Sequence, residues 1–414
     1  MAAICLPPAL RYASLNIGTT RGPLHSHRRL FTAATPATRS YEHALTLLDS
    51  LQSNRAVTLS ISDTAGDINR NAMPEMLEWT RRAGYNASDF GERGLRCIHV
   101  AGTKGKGSVS AMIESILLQF RGEDKSLVEG RRKHLGKIGM YTSPHLVTVR
   151  ERIRIDGSLI SESQFTNYFF ELWDRFEDAA SKPSTSILAP ETRPGFFRYL
   201  TLMAFHAFIQ EGVETAIVEC GIGGTYDSTN ILGEAVKCTA ITKLGIDHVG
   251  MLGESIEEIA SHKAGIIKNS VPIFSAIQLP AAQAVLDSKA KEKMMRVQYI
   301  DRHPALENSK IKLGLEGDFQ KDNASLSISV ASSYLQSMQV AFVPPSPEWI
   351  CELFIQGLEA VKLSGRCQVL HDKNIVSIFT LENYLSLSFD SFILWHAWKA
   401  TPQVFQVRSQ PPRA

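Results

Sequence analysis

The sequence predicts an α/β fold in which helices flank a parallel sheet. Three apolar runs, 95–101, 215–220 and 236–244, have the length of buried strands. The segment 196–210 is strongly apolar over the length of a helix, and polar or glycine-rich turns separate the runs. Strands that alternate with helices at this spacing are typical of parallel sheets, because a crossover helix must return the chain to the edge from which the next strand starts.

The other elements follow from periodicity and from the signals at their ends. The first half of the chain is predicted to contain helices at 41–51, at 73–84, which ends at its glycine, and from Val109 to Phe120, and a strand at 137–142. Further along, the capping box of Ser255 and Glu258 predicts the start of a helix that runs through Lys263. A strand at 271–276 and a helix at 281–293 follow. The charged stretch 121–137 has no apolar period and is predicted to be an exposed insertion. From about residue 369 onward the pattern does not indicate a complete domain.

Composition excludes several classes of function. The chain has 414 residues, enough for two or three domains. Its net charge of +2 gives no basic field that would recruit nucleic acid, so any anion site must be local. The six cysteines have no CxxC spacing, which argues against a structural zinc site and favours buried thiols in a reducing compartment. No apolar run approaches the roughly 18 residues that a membrane span needs, so no integral membrane segment is expected.

The first 40 residues differ in composition from the rest. They contain five arginines and many serines and threonines, and no acidic residue precedes Glu42. This composition is typical of a transit peptide, and a disordered N-terminus is the alternative. We therefore expect a mitochondrial protein, in the matrix or associated with the inner membrane, with a cytosolic form left open.

A glycine-rich loop, GTKGKGS at 102–108, follows the first predicted strand and precedes a predicted helix. Backbone N–H groups at such a helix N-terminus converge on an anion, and the helix dipole favours negative charge there. Lys106 would reach the outer phosphates of a nucleotide, and the Ser108 hydroxyl a magnesium ion. The match to a P-loop is not strict, because Gly107 stands between Lys106 and Ser108 and residue 100 is valine. A flexible strand-to-helix turn is the alternative.

Charged side chains follow the next predicted strands. Glu219 ends the strand at 215–220 just before a second glycine turn, and Asp247 and His248 follow the strand at 236–244. Such residues face the ligand crevice of a parallel sheet, and a carboxylate there suits the magnesium that accompanies ATP. A salt-bridged acid and a structural histidine are the alternatives. Lys263 lies in a helix that turns apolar, where a neutral or modified lysine or a surface lysine would fit.

These stretches, with MYTSPHLVTVRERIRIDG at 140–157 and RPGFFRYLTLMAF at 193–205, resemble folylpolyglutamate synthases of the Mur-ligase superfamily in their eukaryotic form. The order and spacing of the motifs agree from 41 to about 368. Lys104 stands where bacterial members commonly have asparagine. The resemblance implies a P-loop-containing parallel sheet of the Mur-ligase central-domain type. It also implies three segments: a transit segment at 1–40, an ATP-binding domain at 41–365 and a remnant of a C-terminal ligase domain at 366–414.

The resemblance implies an ATP-dependent ligase that joins L-glutamate to the γ-carboxylate of a reduced folate. In this family ATP phosphorylates the carboxylate, and the amine of the incoming glutamate displaces phosphate from the acyl phosphate. The implied substrates are ATP, L-glutamate and a reduced folate, and the implied cofactor is Mg²⁺, with two ions expected and K⁺ left open as a further ion. A monomer is expected.

The resemblance also assigns site residues. The residues that match the nucleotide site are Gly102, Thr103, Lys104, Gly105, Lys106, Gly107, Ser108 and, at the domain junction, Arg366. Ser108, Ser143 and Glu219 match the ligands of one magnesium ion. His248 matches a ligand of a second ion that shares Glu219, and Lys263 matches the lysine whose carbamylated form supports that ion. Lys106, Lys263 and His248 are the expected catalytic residues.

The sequence departs from the family after Arg366. Family members continue into a Rossmann-like domain with a DGAH-type loop, whose Asp and His help to hold ATP and glutamate, and no such motif occurs in 367–414. We therefore expect a largely missing C-terminal domain, weak nucleotide binding and no ligation by this chain. We also expect exposed apolar surface around Leu353, Phe354, Leu358 and Val361.

Three other functions stay open on the sequence. A dihydrofolate synthase is the near alternative. A catalytically impaired protein that binds nucleotide or folate is the second, and the missing C-terminal motif favours it. An unrelated P-loop kinase or ATPase is the third, which Gly107 and the absence of a second kinase motif disfavour.

Overall fold

The structure is a computed structural model that describes residues 39–61, 65–124, 126–182, 191–307, 310–363, 366–372 and 375–380, with side chains left out at 53–70 and from 366 onward. Contacts divide the chain into Met1–Thr38, which lies outside the described residues, and Arg39–Ala414, to which every described residue belongs. The transit segment expected at 1–40 therefore stays a prediction. None of the described helices is long and apolar enough to cross a membrane.

The strands lie close to where the sequence predicts them. The described strands are β1 (Arg96–Ala101), β2 (Leu127–Val128), β3 (Arg131–Arg132), β4 (Lys137–Tyr141), β5 (Ile153–Ile155), β6 (Ser158–Leu159), β7 (Val213–Glu219), β8 (Val236–Ile241), β9 (Ile273–Ala276), β10 (Val297–Ile300), β11 (Arg366–Asp372) and β12 (Ile375–Thr380). The described part of the chain thus confirms the strands predicted near 95–101, 137–142, 215–220, 236–244 and 271–276.

Eight of these strands form one sheet in the order β10-β9-β8-β1-β7-β4-β5-β6. Pairing is parallel from β10 through β4, and β5 and β6 continue the sheet antiparallel. We call the edge at which the six parallel strands end the carboxyl edge. Because β1 lies between β8 and β7, the loops after these three strands leave the carboxyl edge side by side.

Helices cover both faces of this sheet. The described α-helices are α1 (Tyr41–Ile61), α2 (Ala65–Arg82), α3 (Ala87–Glu92), α4 (Lys106–Leu118), α5 (Glu162–Ala180), α6 (Phe196–Gln210), α7 (Val249–Leu252), α8 (Ile256–Ala264), α9 (Pro280–Glu292), α10 (Gln320–Ser337) and α11 (Glu352–Ala360). Short 3₁₀ helices lie at Val149–Arg152, Ser228–Ala235 and Pro304–Glu307.

Two hydrophobic clusters, one on each face of the sheet, hold these layers together. On one face, residues of α1, α2, α5 and α6 pack with Cys97 of β1 and Val218 of β7. On the other, α4, α10 and α11 pack against Ile98 of β1 and Ile217 of β7. Neighbouring residues of one strand point to opposite faces, which is why strands covered on both sides are apolar throughout and not alternating.

The structure corrects the sequence prediction in several places. Helices α3, α5, α7, α10 and α11 were not predicted, and α1 and α2 are longer than predicted. The stretch 121–137 contains the small β2–β3 hairpin, and Leu135 within it is fully buried. The expectation of exposed apolar surface is wrong for Phe354, Leu358 and Val361, which are at most 3% exposed, because α11 packs against α4. Only Leu353 is substantially exposed among these four.

Candidate active site

The glycine loop joins the end of β1 to the start of α4 at the centre of the carboxyl edge. Gly102 and Gly105 both have positive φ, 152° and 84°. A Cβ atom on Gly102 would lie 1.8 Å from Thr242 Oγ1, and one on Gly105 would lie 2.6 Å from Asn323 Oδ1. The loop therefore requires glycine at both positions, for conformation and for close approach of the chain.

Hydrogen bonds divide the loop into a tethered part and an anion-binding part. The N–H groups of Thr103 and Lys104 both donate to the Lys243 carbonyl oxygen, at 3.1 and 3.0 Å. The N–H of Val109 donates to the Gly105 carbonyl, which begins the ladder of α4. The N–H groups between these points belong to the first turn, where an α-helix has no internal partner for them. Thr103 and Lys104 thus tether the loop, and the N–H groups from Gly105 to Ser108 are available to an anion.

Two lysines, Lys106 and Lys263, lie at this loop. Lys263 is 2% exposed, and its Nζ donates to the Gly102 carbonyl oxygen at 2.7 Å. Burial, reinforced by the charge of Lys106, lowers the pKa of Lys263 to about 7. A large fraction of its amine is therefore neutral near neutral pH, which is the form that reacts as a nucleophile.

His248 caps the short helix α7 beside these lysines. Its backbone is in the left-handed region, with φ 50°, and its N–H donates to the Asp247 carboxylate at 2.8 Å. Burial lowers the pKa of the imidazole, and the charges of Lys106 and Lys263 act in the same direction while Asp247 opposes them. Lys106 at the start of α4, Lys263 in α8 and His248 before α7 therefore share one electrostatic environment, in which the lowered pKa of His248 favours the neutral ring.

Glu219 and Ser143 come together at the ends of β7 and β4. Glu219 is 2% exposed, and one of its carboxylate oxygens accepts a hydrogen bond from the Ser143 N–H at 3.2 Å. Ser108, in the first turn of α4, is also buried, and its hydroxyl oxygen accepts from the Gln320 amide at 3.4 Å. The three expected ligands of one magnesium ion thus lie at or just beyond the carboxyl ends of the neighbouring strands β1, β7 and β4. The side chain of Arg366 lies outside the described residues.

Oxygen donors of this kind fit magnesium in the presence of a nucleotide. In the described part of the chain, no group of three or more His, Cys, Asp or Glu side chains could hold a metal ion. Mg²⁺ is commonly held by one or two carboxylates together with substrate phosphates and water. One buried carboxylate beside serine hydroxyls suits an ion that arrives with phosphates.

Sequence reasoning missed a buried polar network behind Glu219. The Thr229 hydroxyl donates to Asp227 at 2.5 Å and lies 2.8 Å from His99 Nε2, which in turn lies 3.1 Å from Cys220 Sγ. Burial lowers the pKa of His99 to about 3, so its ring is neutral. The network connects β1 to the residue after Glu219. Its signal in the sequence was the YDSTN stretch, whose polar residues follow a buried strand directly.

Two residues of α10 were also missed. The amide of Asn323 donates to Gln320 at 2.9 Å, and both residues are at least nine-tenths buried against the glycine loop. They lie more than 200 residues from Ser108, and no local pattern of the sequence marks them.

Comparisons with known proteins agree with this geometry. No family model matches the chain. Folylpolyglutamate synthase of Saccharomyces cerevisiae is 43% identical over 343 residues, which are 81% of this chain and 60% of that protein. The chain thus spans about 60% of the length of the curated relatives it matches.

Solved structures share the fold. The apo form of L. casei FPGS aligns with a TM-score of 0.64 at 24% identity, covering 82% of this chain and 76% of that one. An FPGS–AMPPCP–folate complex aligns with a TM-score of 0.63 at 22% identity, covering 87% of each chain. The sequence relatives, the shared fold and the site at the carboxyl edge agree: over 81% of its length, this chain is similar to folylpolyglutamate synthases.

Proposed function

We propose that this chain takes part in the ATP-dependent ligation of L-glutamate to the γ-carboxylate of a reduced folate. The observation that carries the proposal is the convergence of the glycine loop, Lys106, Lys263 and Glu219 at one edge of the sheet. Its similarity to the yeast enzyme and to an FPGS structure that contains AMPPCP and folate supports the choice of substrates. These relatives do not favour a dihydrofolate synthase or an unrelated kinase.

The chain's own groups suit the first chemical step. Transfer of the γ-phosphoryl group to a carboxylate brings two anions together, and their repulsion must be offset. The N–H groups at the start of α4 and the Lys106 ammonium would hold the phosphates. Phosphoryl transfer forms the bond between a carboxylate oxygen and the γ-phosphorus and breaks the bond to ADP. In the second step the glutamate amine attacks the acyl carbon, loses a proton and displaces phosphate.

We assign Mg²⁺ to Ser108, Ser143 and Glu219, and a second ion to His248 with Glu219 shared. Bound magnesium would neutralise charge on the phosphate oxygens. A neutral His248 and a buried Glu219 are the forms in which these side chains bind metal. The lowered pKa of Lys263 supports its carbamylation, because only a neutral amine adds CO₂. None of the described residues indicates a potassium site.

A ligation assay tests the proposal. The 414-residue chain is incubated with Mg²⁺, ATP, labelled L-glutamate and tetrahydrofolate, and binding of AMPPCP is measured in parallel. Residues 367–414 taken alone led us to expect no ligation, whereas the described site residues lead us to expect that glutamate is incorporated. We expect Lys106→Ala to lower the rate by about 100-fold or more, because a contact to the transferred phosphate is lost. Lys289→Ala is the matched control, because this lysine of α9 pairs with Glu292 at the surface and has no place among the assigned site residues.

Two outcomes would contradict the proposal. AMPPCP binding without incorporation of glutamate would indicate a nucleotide-binding protein that does not ligate. Incorporation that requires dihydropteroate in place of tetrahydrofolate would indicate a dihydrofolate synthase. A circular dichroism spectrum that matches the parent chain shows that each variant is folded.

A further inference from the structure

Arg152 is a buried cation at the carboxyl edge, beyond the residues already assigned. It ends the 3₁₀ helix Val149–Arg152, between β4 and β5, and is 8% exposed. Its carbonyl oxygen accepts a hydrogen bond from the Thr142 N–H at 3.0 Å, which places Arg152 beside the residue that precedes Ser143. Glu219 lies close enough for its charge to act on the guanidinium.

Neighbouring side chains fix the guanidinium in one orientation. The Nε–H donates to His145 Nδ1 at 2.9 Å, and Cζ lies 5.5 Å from the centre of the Phe196 ring. Within the described residues, neither Nη atom has a hydrogen-bond acceptor, and neither belongs to the polar atoms that are fully enclosed without a partner. The two Nη groups are thus held in place and remain reachable from outside.

A buried cation with reachable donors favours an anion, because burial strengthens the attraction and an arginine fork matches the two oxygens of a carboxylate. Burial lowers the pKa of Arg152, while the charge of Glu219 opposes that shift. A guanidinium that is nine-tenths buried is unfavourable when its Nη groups have no hydrogen-bond acceptor. A bound ligand that supplies an acceptor would remove this cost.

Strand order separates this anion from the phosphates of ATP. The glycine loop follows β1, Glu219 ends β7, and Arg152 lies past β4, in the sheet order β1-β7-β4-β5. An anion at Arg152 would therefore lie across Glu219 from phosphates held by the glycine loop.

Apolar surface next to Arg152 indicates which substrate supplies that anion. The ring of Phe196 is half-buried under the guanidinium. Folate carries an aromatic body next to its carboxylates, whereas free glutamate has no comparable apolar part. The surroundings of Arg152 therefore suit folate better than glutamate.

We propose that Arg152 binds the γ-carboxylate of the folate substrate and holds it toward the γ-phosphate of ATP. The inference rests on the proposed function, and it adds a residue that would bind the folate substrate. His145 acts through Arg152 as a positioning residue, because its Nδ1 accepts the Nε–H and leaves the Nη fork for the ligand.

Equilibrium binding tests this contact without turnover. Folate and its γ-carboxamide are titrated into the parent chain and into Arg152→Gln and Arg152→Lys. We expect the parent chain to bind folate about tenfold or more tightly than the γ-carboxamide, the range for a lost charge-assisted pair. Arg152→Gln should bind both ligands with the lower affinity, and Arg152→Lys should keep part of the preference because it keeps the charge.

Arg150→Gln is the matched control. Arg150 belongs to the same 3₁₀ helix, but its guanidinium donates to the Ile160 carbonyl oxygen and pairs with Glu162, so its loss should leave the preference intact. AMPPCP affinity should stay unchanged in every variant. A loss of AMPPCP binding in Arg152→Gln would make Arg152 a phosphate ligand and overturn the proposal.

Two further outcomes would also overturn it. An unchanged preference for folate over the γ-carboxamide in Arg152→Gln would exclude the contact while leaving the proposed function standing. A preference against folate α-carboxamide that disappears in Arg152→Gln would move the contact to the other carboxylate. A parent chain that binds no folate would refute the proposed function and this inference together.

Discussion

Glu114 carries a carboxylate into the interior of the protein, on the first helix after the glycine loop. It is 1% exposed, and Arg154 of β5 lies 3.1 Å from Oε2. Its other oxygen is buried without a hydrogen-bond partner among the described residues. Burial raises the pKa of Glu114 to about 7, although the charge of Arg154 opposes the rise. A single arginine therefore offsets only part of the loss of solvation.

This raised pKa gives a prediction about stability against pH. Between pH 4.5 and about 7 the folded chain holds a proton on Glu114 that the unfolded chain has released, so stability falls as pH rises through this window. The contribution of Glu114 to the slope of the unfolding free energy against pH approaches about 1.4 kcal/mol per pH unit. Glu114→Gln should remove it, as measured by the free energy of unfolding in urea at each pH. Glu123→Gln, at a 93% exposed side chain, should keep the parent slope. If the unfolding free energies of the parent chain and of Glu114→Gln changed with pH in parallel, the prediction would be wrong.

The glycines in the turns before and after strand β1 differ in how closely other residues approach them. Gly94 precedes β1 and Gly105 follows it, and both have left-handed backbone, with φ 94° and 84°. A Cβ on Gly94 would meet nothing within 4 Å, whereas one on Gly105 would meet Asn323. The two glycines thus share the conformational requirement and differ in the space around them.

This difference provides a matched pair of variants. Each change to alanine should cost about 1–2 kcal/mol of stability through the left-handed backbone. Gly105→Ala should also weaken AMPPCP binding by about tenfold or more, because either Asn323 or the loop must move away from the anion site. Gly94→Ala should bind AMPPCP like the parent chain. Isothermal titration and thermal unfolding measure the two effects, and equal losses of affinity in both variants would count against the assignment of the loop.

The sequence predicts the elements whose signals are local. β1 with its glycine loop, α6 and the capping box of α8 each combine an apolar pattern with an end signal, and they lie within a few residues of the prediction. Helix α10 was missed because small and polar residues such as Ser325 and Ser327 are buried among its apolar ones, so that no clear apolar stripe forms. Partners such as Gln320 are brought to the site by tertiary packing alone, and periodicity carries no information about them.

At the scale of the whole molecule, α11 connects a late segment of the chain to the core around α4. Phe354 is fully buried between Phe120 and Phe342, with ring centroids at 5.8 and 6.0 Å. A Cβ on Gly357 would lie 2.6 Å from the backbone of Ile116, so α11 and α4 approach closely. The helix that follows the glycine loop is therefore supported by a segment more than 200 residues further along the chain.

Neighbouring residues of α11 test this support. Phe354→Ala should lower the free energy of unfolding by about 3–5 kcal/mol, because it removes a large ring from a closed core. Leu353→Ala, at a 39% exposed position, should change it by less than about 1 kcal/mol. Urea denaturation of both variants gives the comparison. Similar, small effects would mean that α11 packs loosely in solution.

The tether of Thr103 and Lys104 to the Lys243 carbonyl has a thermodynamic consequence. The Thr103 hydroxyl strengthens it by donating to the Gly245 carbonyl oxygen at 3.1 Å. Because these bonds involve no ligand, the loop is ordered before a nucleotide arrives, and binding need not fix its backbone at about 1–2 kcal/mol per residue. A preorganised loop selects ligands by shape, since it does not adapt to an anion whose oxygens are spaced differently from those of a phosphate chain.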